Sequence, residues 1–185
     1  MPRTIAMNMA AGSEGKSPLR DVLLNGLLFN LCWLAIVFSH NSLLAPVIVA
    51  AYLWLHATVV GCTRGEWRCL ALVAAIGLLL DQFLFFAGVL VDSRVSLFAP
   101  LWLSCLWPVF ATTLLHAFRS FRERPFIAAI LGAVGGTGSY VAGVALSPIS
   151  FGSEWGGPAV LAVLWAVLLP ALLELAHQLE KSDRE

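Results

Sequence analysis

Six nearly continuous apolar blocks of 17 to 23 residues, separated by short polar breaks, set the limits on what this chain can fold into. They run from Val22 to Phe38, Leu43 to Val60, Cys69 to Val91, Pro100 to Phe118, Phe126 to Leu146 and Ala159 to His177. About 20 helical residues, rising about 1.5 Å each, cross a hydrocarbon layer about 30 Å thick. The blocks are apolar on every side, whereas the strands of a membrane β-barrel would alternate apolar and polar residues with period two. Of the 185 residues 59% are apolar and 12% charged, against about 25% charged in a soluble domain. The expected fold is therefore all-α: a polytopic membrane protein built as a bundle of six transmembrane helices with short loops.

Of the 11 Lys and Arg residues, only Arg94 falls on one side of such a six-span path. The other side holds the basic residues of both termini, Arg64 and Arg68, and Arg119, Arg122 and Arg124. Basic loops stay cytoplasmic, which predicts both termini on the cytoplasmic side of the membrane. The formal net charge of zero offers nucleic acid no bulk attraction, so none is expected as a partner. Residues 1–20 lack the apolar core of a signal peptide and are expected to form a disordered cytoplasmic lead, with Ser17 and Pro18 as cap and first turn of the first helix. The membrane domain is expected over 21–179, with a short tail at 180–185. Such short loops leave no room for a soluble catalytic domain. Ser147 to Pro158, the longest outer loop, reads as an interfacial turn anchored by Trp155.

Polar residues inside the blocks are the candidate site residues. Asp81 lies about 18 Å along the third span from its inner end, near mid-bilayer. A lone carboxylate there costs about 2.5 to 3.5 kcal/mol even on insertion scales, so it must face the bundle. Gly77, Leu84 and Gly88 share its side of the helix, and Phe83 and Phe86 point elsewhere. Two readings stand: Asp81 bonds Asn30 or Thr112 in a packed core, or it serves a functional site. Asp81, Asn30, Thr112 and Trp107 are the candidate binding residues. Asn25 lies near the inner boundary of the first span. On the fourth span Ser104, Pro108, Thr112 and His116 recur every four residues, and Pro108, lacking an N–H, frees the carbonyl of Ser104 and can bend the helix.

His56, His116, Glu174 and His177 fall in the inner third of spans that run in one direction, hence at similar depth. Such a layer fits a proton relay, a headgroup site or a metal site, although each residue alone could simply reach interfacial water. If the chain is an enzyme, its acid or base is sought among His116, His56 and Glu174. Cys62 and Cys69 flank a cytoplasmic loop without a Cys-x-x-Cys pattern or an adjacent His; no disulfide framework, metal or cofactor is assigned. Nucleophile-elbow and zinc-protease motifs are absent from the sequence.

Small residues Gly132, Gly136, Ser139 and Gly143 line one face of the fifth span, a pattern that admits close approach of another helix. The second, fourth and sixth spans open near Pro46, Pro100 and Pro158. Pro100, Trp107 and His116 have the spacing of Pro158, Trp165 and Glu174, which fits either a hairpin repeat or the coincidence of residue types common at these places.

The run PLWLSCLWPVFATTLLHAF from Pro100, with GEWRC before the third span, GLLLDQ within it and LWAVLLP in the sixth, resembles a family of small bacterial inner-membrane proteins known only as a domain of unknown function. The resemblance covers nearly all of Val22 to Leu179, and the fourth-span pattern is its most specific part. Trp67, Asp81, Pro100, Trp102, Trp107, Thr112, Thr113 and His116 are the matching positions; none brings a catalytic role. It implies a multi-spanning protein encoded near cyclopropane-fatty-acid-synthase-like enzymes, and so a role in membrane lipid modification or the envelope stress response. The expected function is to bind or move a lipid or small amphiphile, with a lipid-modifying enzyme as partner; the alternative is an enzyme acting on a lipid through His116. Oligomeric state is left open.

Overall fold

The computed structural model of the chain describes residues 18–60, 62–92 and 98–182. The expected N-terminal lead, Ser17 and Arg94 lie outside the described residues. The helices are α1 (Pro18–Ser39), α2 (Leu44–Val59), α3 (Arg64–Phe86), α4 (Leu101–Ser104), α5 (Leu106–Leu115), α6 (Pro125–Leu131), α7 (Thr137–Ala145) and α8 (Gly156–Ser182). A π-helical segment, Gly132–Gly136, joins α6 to α7. Two short strands, β1 (Leu90–Asp92) and β2 (Ile149–Phe151), pair antiparallel at one end of the bundle.

Four helical stretches are long and apolar enough to cross a membrane: Val22–Ser39, Arg64–Phe86, Pro125–Ala145 and Gly156–Ser182. The expected second and fourth spans are shorter. α2 has 16 residues, about 24 Å of helix, and the fourth block is broken into α4 and α5 at Cys105. Pro108 accounts for the break, since it cannot donate to the carbonyl of Ser104. At the N-terminal end of α3 the Thr63 hydroxyl caps the helix, accepting from the N–H of Glu66 at 3.2 Å. At its other end Gly88 takes φ +68°, left-handed backbone open to glycine, and swings the chain into β1.

The outer surface is apolar. Leu27, Leu31, Phe83, Phe126, Ile130 and Val163 are among its exposed side chains, while Asn25, His56, Glu66, Asp81, Thr112 and Thr113 are buried. In water such a surface would drive aggregation; against lipid it costs nothing.

Two hairpins, α3 to α5 and α6 to α8, meet along contacts that join counterparts 58 or 59 positions apart. β1 pairs with β2 as Leu90 with Phe151, Val91 with Ser150 and Asp92 with Ile149, a ladder symmetric about its central pair under a shift of 59. Trp107 stacks on Trp165, 58 positions on, with ring centroids 5.5 Å apart and planes 4° from parallel. Asp81 and Tyr140, offset by 59, are hydrogen-bonded to each other. Gly77 and Gly136, also offset by 59, each face an indole: a Cβ on Gly77 would fall 1.8 Å from Trp107, and one on Gly136 2.2 Å from Trp165. These contacts are related as by an approximate two-fold axis, but the helix packing is not: α3 packs on α8 without comparable packing of α5 on α6 or α7, so the hairpin repeat stays one of two readings. The pair of helices α1 and α2 packs on α4 and α5, outside the repeat.

Candidate functional site

Asp81 is completely buried at the junction of the two hairpins. Its Oδ2 accepts from Trp107 Nε1 at 2.9 Å and from Ser104 Oγ at 3.4 Å, and its Oδ1 accepts from the Tyr140 hydroxyl at 2.8 Å. Neither expected partner bonds it. Asn30 is exposed on α1 and donates to the carbonyl of Gly26 one turn back, and Thr112 belongs to a separate network. The reason is azimuth. The broken start of the fourth block turns Ser104 and Trp107 toward α3, and the second hairpin delivers Tyr140 from the opposite side.

Trp107 and Tyr140 also line a cleft of about 330 Å³ between α1 and the path from α6 to α7. Phe29, Asn30 and Trp33 form its α1 wall; Gly135, Ser139 and Gly143 form the facing wall; Phe110 and Trp165 lie at its base. The expected small-residue stripe thus has two functions. Gly132 and Gly136 let α8 approach closely, a Cβ on Gly132 falling 2.2 Å from the carbonyl of Trp165, whereas no heavy atom faces Gly143 within 4 Å. Trp165 is buried, and its indole N–H, itself buried, has no acceptor among the described residues.

A second polar system follows α1, α2 and α5 toward the start of α3. Thr112 Oγ1 donates to the carbonyl of Val109 at 2.9 Å and accepts from Asn25 Nδ2 at 3.1 Å and from the Tyr52 hydroxyl at 2.7 Å. Tyr52 stacks on His56, with centroids 6.1 Å apart. His56 Nε2 and His116 Nε2 each lie 2.9 Å from one and the same oxygen, Oε1 of Glu66. Cys62 bonds the same carboxylate through its thiol; burial, reinforced by the negative charge of Glu66, pushes that thiol up to about 12.

His56 and His116 therefore come together, but Glu174 and His177 do not join them. Both are exposed on α8, and Glu174 accepts from Gln178 Nε2 at 2.9 Å, because Leu172, Leu173 and Ala176 occupy the inward face there. Glu66 takes the place expected for Glu174. In sequence Glu66 is inconspicuous: Thr63-x-x-Glu66 at a helix start has the pattern of a capping box, whose carboxylate ordinarily turns back to the cap. Here the backbone half of that box forms, and the side chain turns inward to the two histidines.

The chain matches the family model described as "Protein of unknown function (DUF2878)" over residues 22–171, and it belongs to that family. No curated protein and no solved structure matches it.

Proposed function

We propose that this is a six-span inner-membrane protein, both termini cytoplasmic, that binds or moves a lipid or small amphiphile in the cleft between α1 and α7. The observation that carries the reading is the cleft itself, about 330 Å³ and walled almost wholly by apolar and aromatic side chains. That volume holds on the order of ten groups the size of a water or a methylene. It lies beside the interface of the two hairpins, the place where repeat-built membrane proteins hold their ligands. Asn30 and Ser139 on the facing walls supply hydrogen-bonding groups for one polar atom of an otherwise apolar guest. The wall includes neither His56 nor His116, which favours binding over catalysis by His116. A lipid-modifying enzyme is a natural partner for a protein that presents such a guest.

The test is photocrosslinking in reconstituted vesicles with a phospholipid that carries a diazirine along its acyl chain. Label is expected on Phe29 to Val37 and on Gly135 to Val144, and Gly143→Leu, at a position where a Cβ meets no heavy atom within 4 Å, should deplete it from both. Label confined to outward-facing Phe126, Ile130 and Val134, and indifferent to Gly143→Leu, would refute the reading.

A further inference from the structure

The histidine pair and Glu66 lie about 22 Å along α3 from Asp81 and outside the cleft. We propose that His56 Nε2, His116 Nε2 and Glu66 Oε1 form a binding site for one divalent transition-metal ion of the zinc class. Three separate elements deliver the donors: the last turn of α2, the first turn of α3 and the residue that ends α5. The three ligand atoms lie within 4.8 Å of one another. Zinc bonds of about 2.1 Å in a tetrahedral arrangement set neighbouring donors about 3.4 Å apart. To admit the ion each Nε2 to Oε1 separation, now 2.9 Å, opens by about half an ångström, and the two Nε2 atoms, no more than 4.8 Å apart, settle to the same spacing.

The donor set selects the metal class. Two imidazoles and one carboxylate suit zinc, cobalt and iron, whereas calcium and magnesium take oxygen donors. Charge points the same way: both ion pairs of the buried Glu66 are with histidines, which carry positive charge only when protonated. A dication satisfies the carboxylate and both neutral imidazoles at once. His56 is nearly sealed, with 1% of its side chain exposed, but His116 is 22% exposed, so the site has one edge open to the interface. Three protein ligands and one open edge leave a coordination position for water or for the nearby Cys62 thiol. That is the arrangement of a site that exchanges a ligand rather than one that only staples helices.

The experiment uses the full chain purified in detergent through a tag without histidines, stripped with chelator, then dialysed against Zn²⁺ or Co²⁺. Elemental analysis should find about one equivalent of zinc per chain, and the cobalt form should show visible absorption typical of low coordination number. Outer-shell changes weaken metal sites by about 10- to 100-fold, so His116→Ala and Glu66→Gln, which remove ligands, should weaken binding at least tenfold. His177→Ala, on the exposed face of α8, should leave it unchanged. Wild-type protein that is monodisperse and helical but retains under about a tenth of an equivalent and gives no cobalt band overturns the proposal. Equal losses in His177→Ala and His116→Ala overturn it too. The wild-type measurement decides the matter even if a ligand variant fails to fold, and neither result depends on the lipid cleft.

Discussion

A methyl group at position 77 tests the hairpin interface most directly. In Gly77→Ala the new Cβ would fall 1.8, 2.0 and 2.4 Å from Cδ2, Cγ and Cε2 of Trp107, on the face of the indole. Carbon atoms settle about 3.5 to 4.0 Å apart, so the ring must retreat by about 1.7 Å or the helices must part. Retreat is obstructed. Trp165 lies parallel at 5.5 Å, Phe110 sits edge-on at 6.1 Å, and Nε1 is tied to Asp81 at 2.9 Å. A shift of that size breaks the bond to the carboxyl group, worth about 1.5 to 3 kcal/mol when the acceptor is charged, on top of about 1 to 3 kcal/mol for overpacking. The expected loss is roughly 2.5 to 6 kcal/mol. Gly138→Ala is the matched control, because no heavy atom lies within 4 Å of its Cβ position; there alanine should gain about 0.5 to 1 kcal/mol from helix propensity. Thermal denaturation in one detergent at one scan rate should move the two variants in opposite directions. In a Trp107→Ala background the penalty of Gly77→Ala should largely vanish, since the two residues share one space. If Gly77→Ala melts with Gly138→Ala, or costs the same with and without the indole, the packing account of this interface is wrong.

Asp81→Ala leaves three buried donors, on Trp107, Tyr140 and Ser104, without their acceptor and should destabilise by roughly 3 to 5 kcal/mol. Asp81→Asn should cost only about 1 kcal/mol, because its oxygen can face Trp107 while its NH₂ donates to the Tyr140 hydroxyl; equal melting temperatures for the two variants would contradict this network. Thr112→Val keeps the shape but strands the Asn25 amide and the Tyr52 hydroxyl, an expected loss of about 2 to 4 kcal/mol, whereas Tyr52→Phe should cost less because Thr112 keeps Asn25 and Val109. In metal-free protein the Cys62 thiol, raised from the usual 9.0 to about 12, presents about a thousandfold less thiolate at pH 8 than an ordinary cysteine. Its alkylation should therefore be slow at pH 8, rise steeply toward pH 11 and quicken at pH 8 in Glu66→Gln; a rate already flat above pH 9 would refute the assignment.

Depth was legible in the sequence and azimuth was not. Counting residues from a span boundary placed His56, His116 and Glu174 at one level, because each helical residue adds about 1.5 Å whatever surrounds it. Which way a side chain points depends on neighbours that hydropathy cannot supply when a helix is apolar all round. Glu174 accordingly ends on the outer face of α8, and Glu66 turns to the histidines from a helix start where a carboxylate looks ordinary. The same limit explains Asp81. Its need for partners followed from the cost of a bare carboxylate in hydrocarbon, yet Trp107 and Tyr140 reach it only through the meeting of two hairpins. The pattern that suggests a repeat was half visible. Comparison of even-numbered spans found the shift of 58 through Trp107 and Trp165. The odd-numbered ones carry a shift of 59, in which Gly77 and Gly136 are alike but Asp81 corresponds to Tyr140 and Leu90 to Ile149. One residue fewer between β2 and Pro158 than between β1 and Pro100 reconciles the two shifts. A duplicated hairpin would ordinarily place identical groups across its axis, and two aspartates there would repel. On the repeat reading, tyrosine as one counterpart replaces that repulsion with the Tyr140 to Asp81 hydrogen bond at 2.8 Å, so the departure from symmetry is what allows a carboxyl group to be buried between the hairpins.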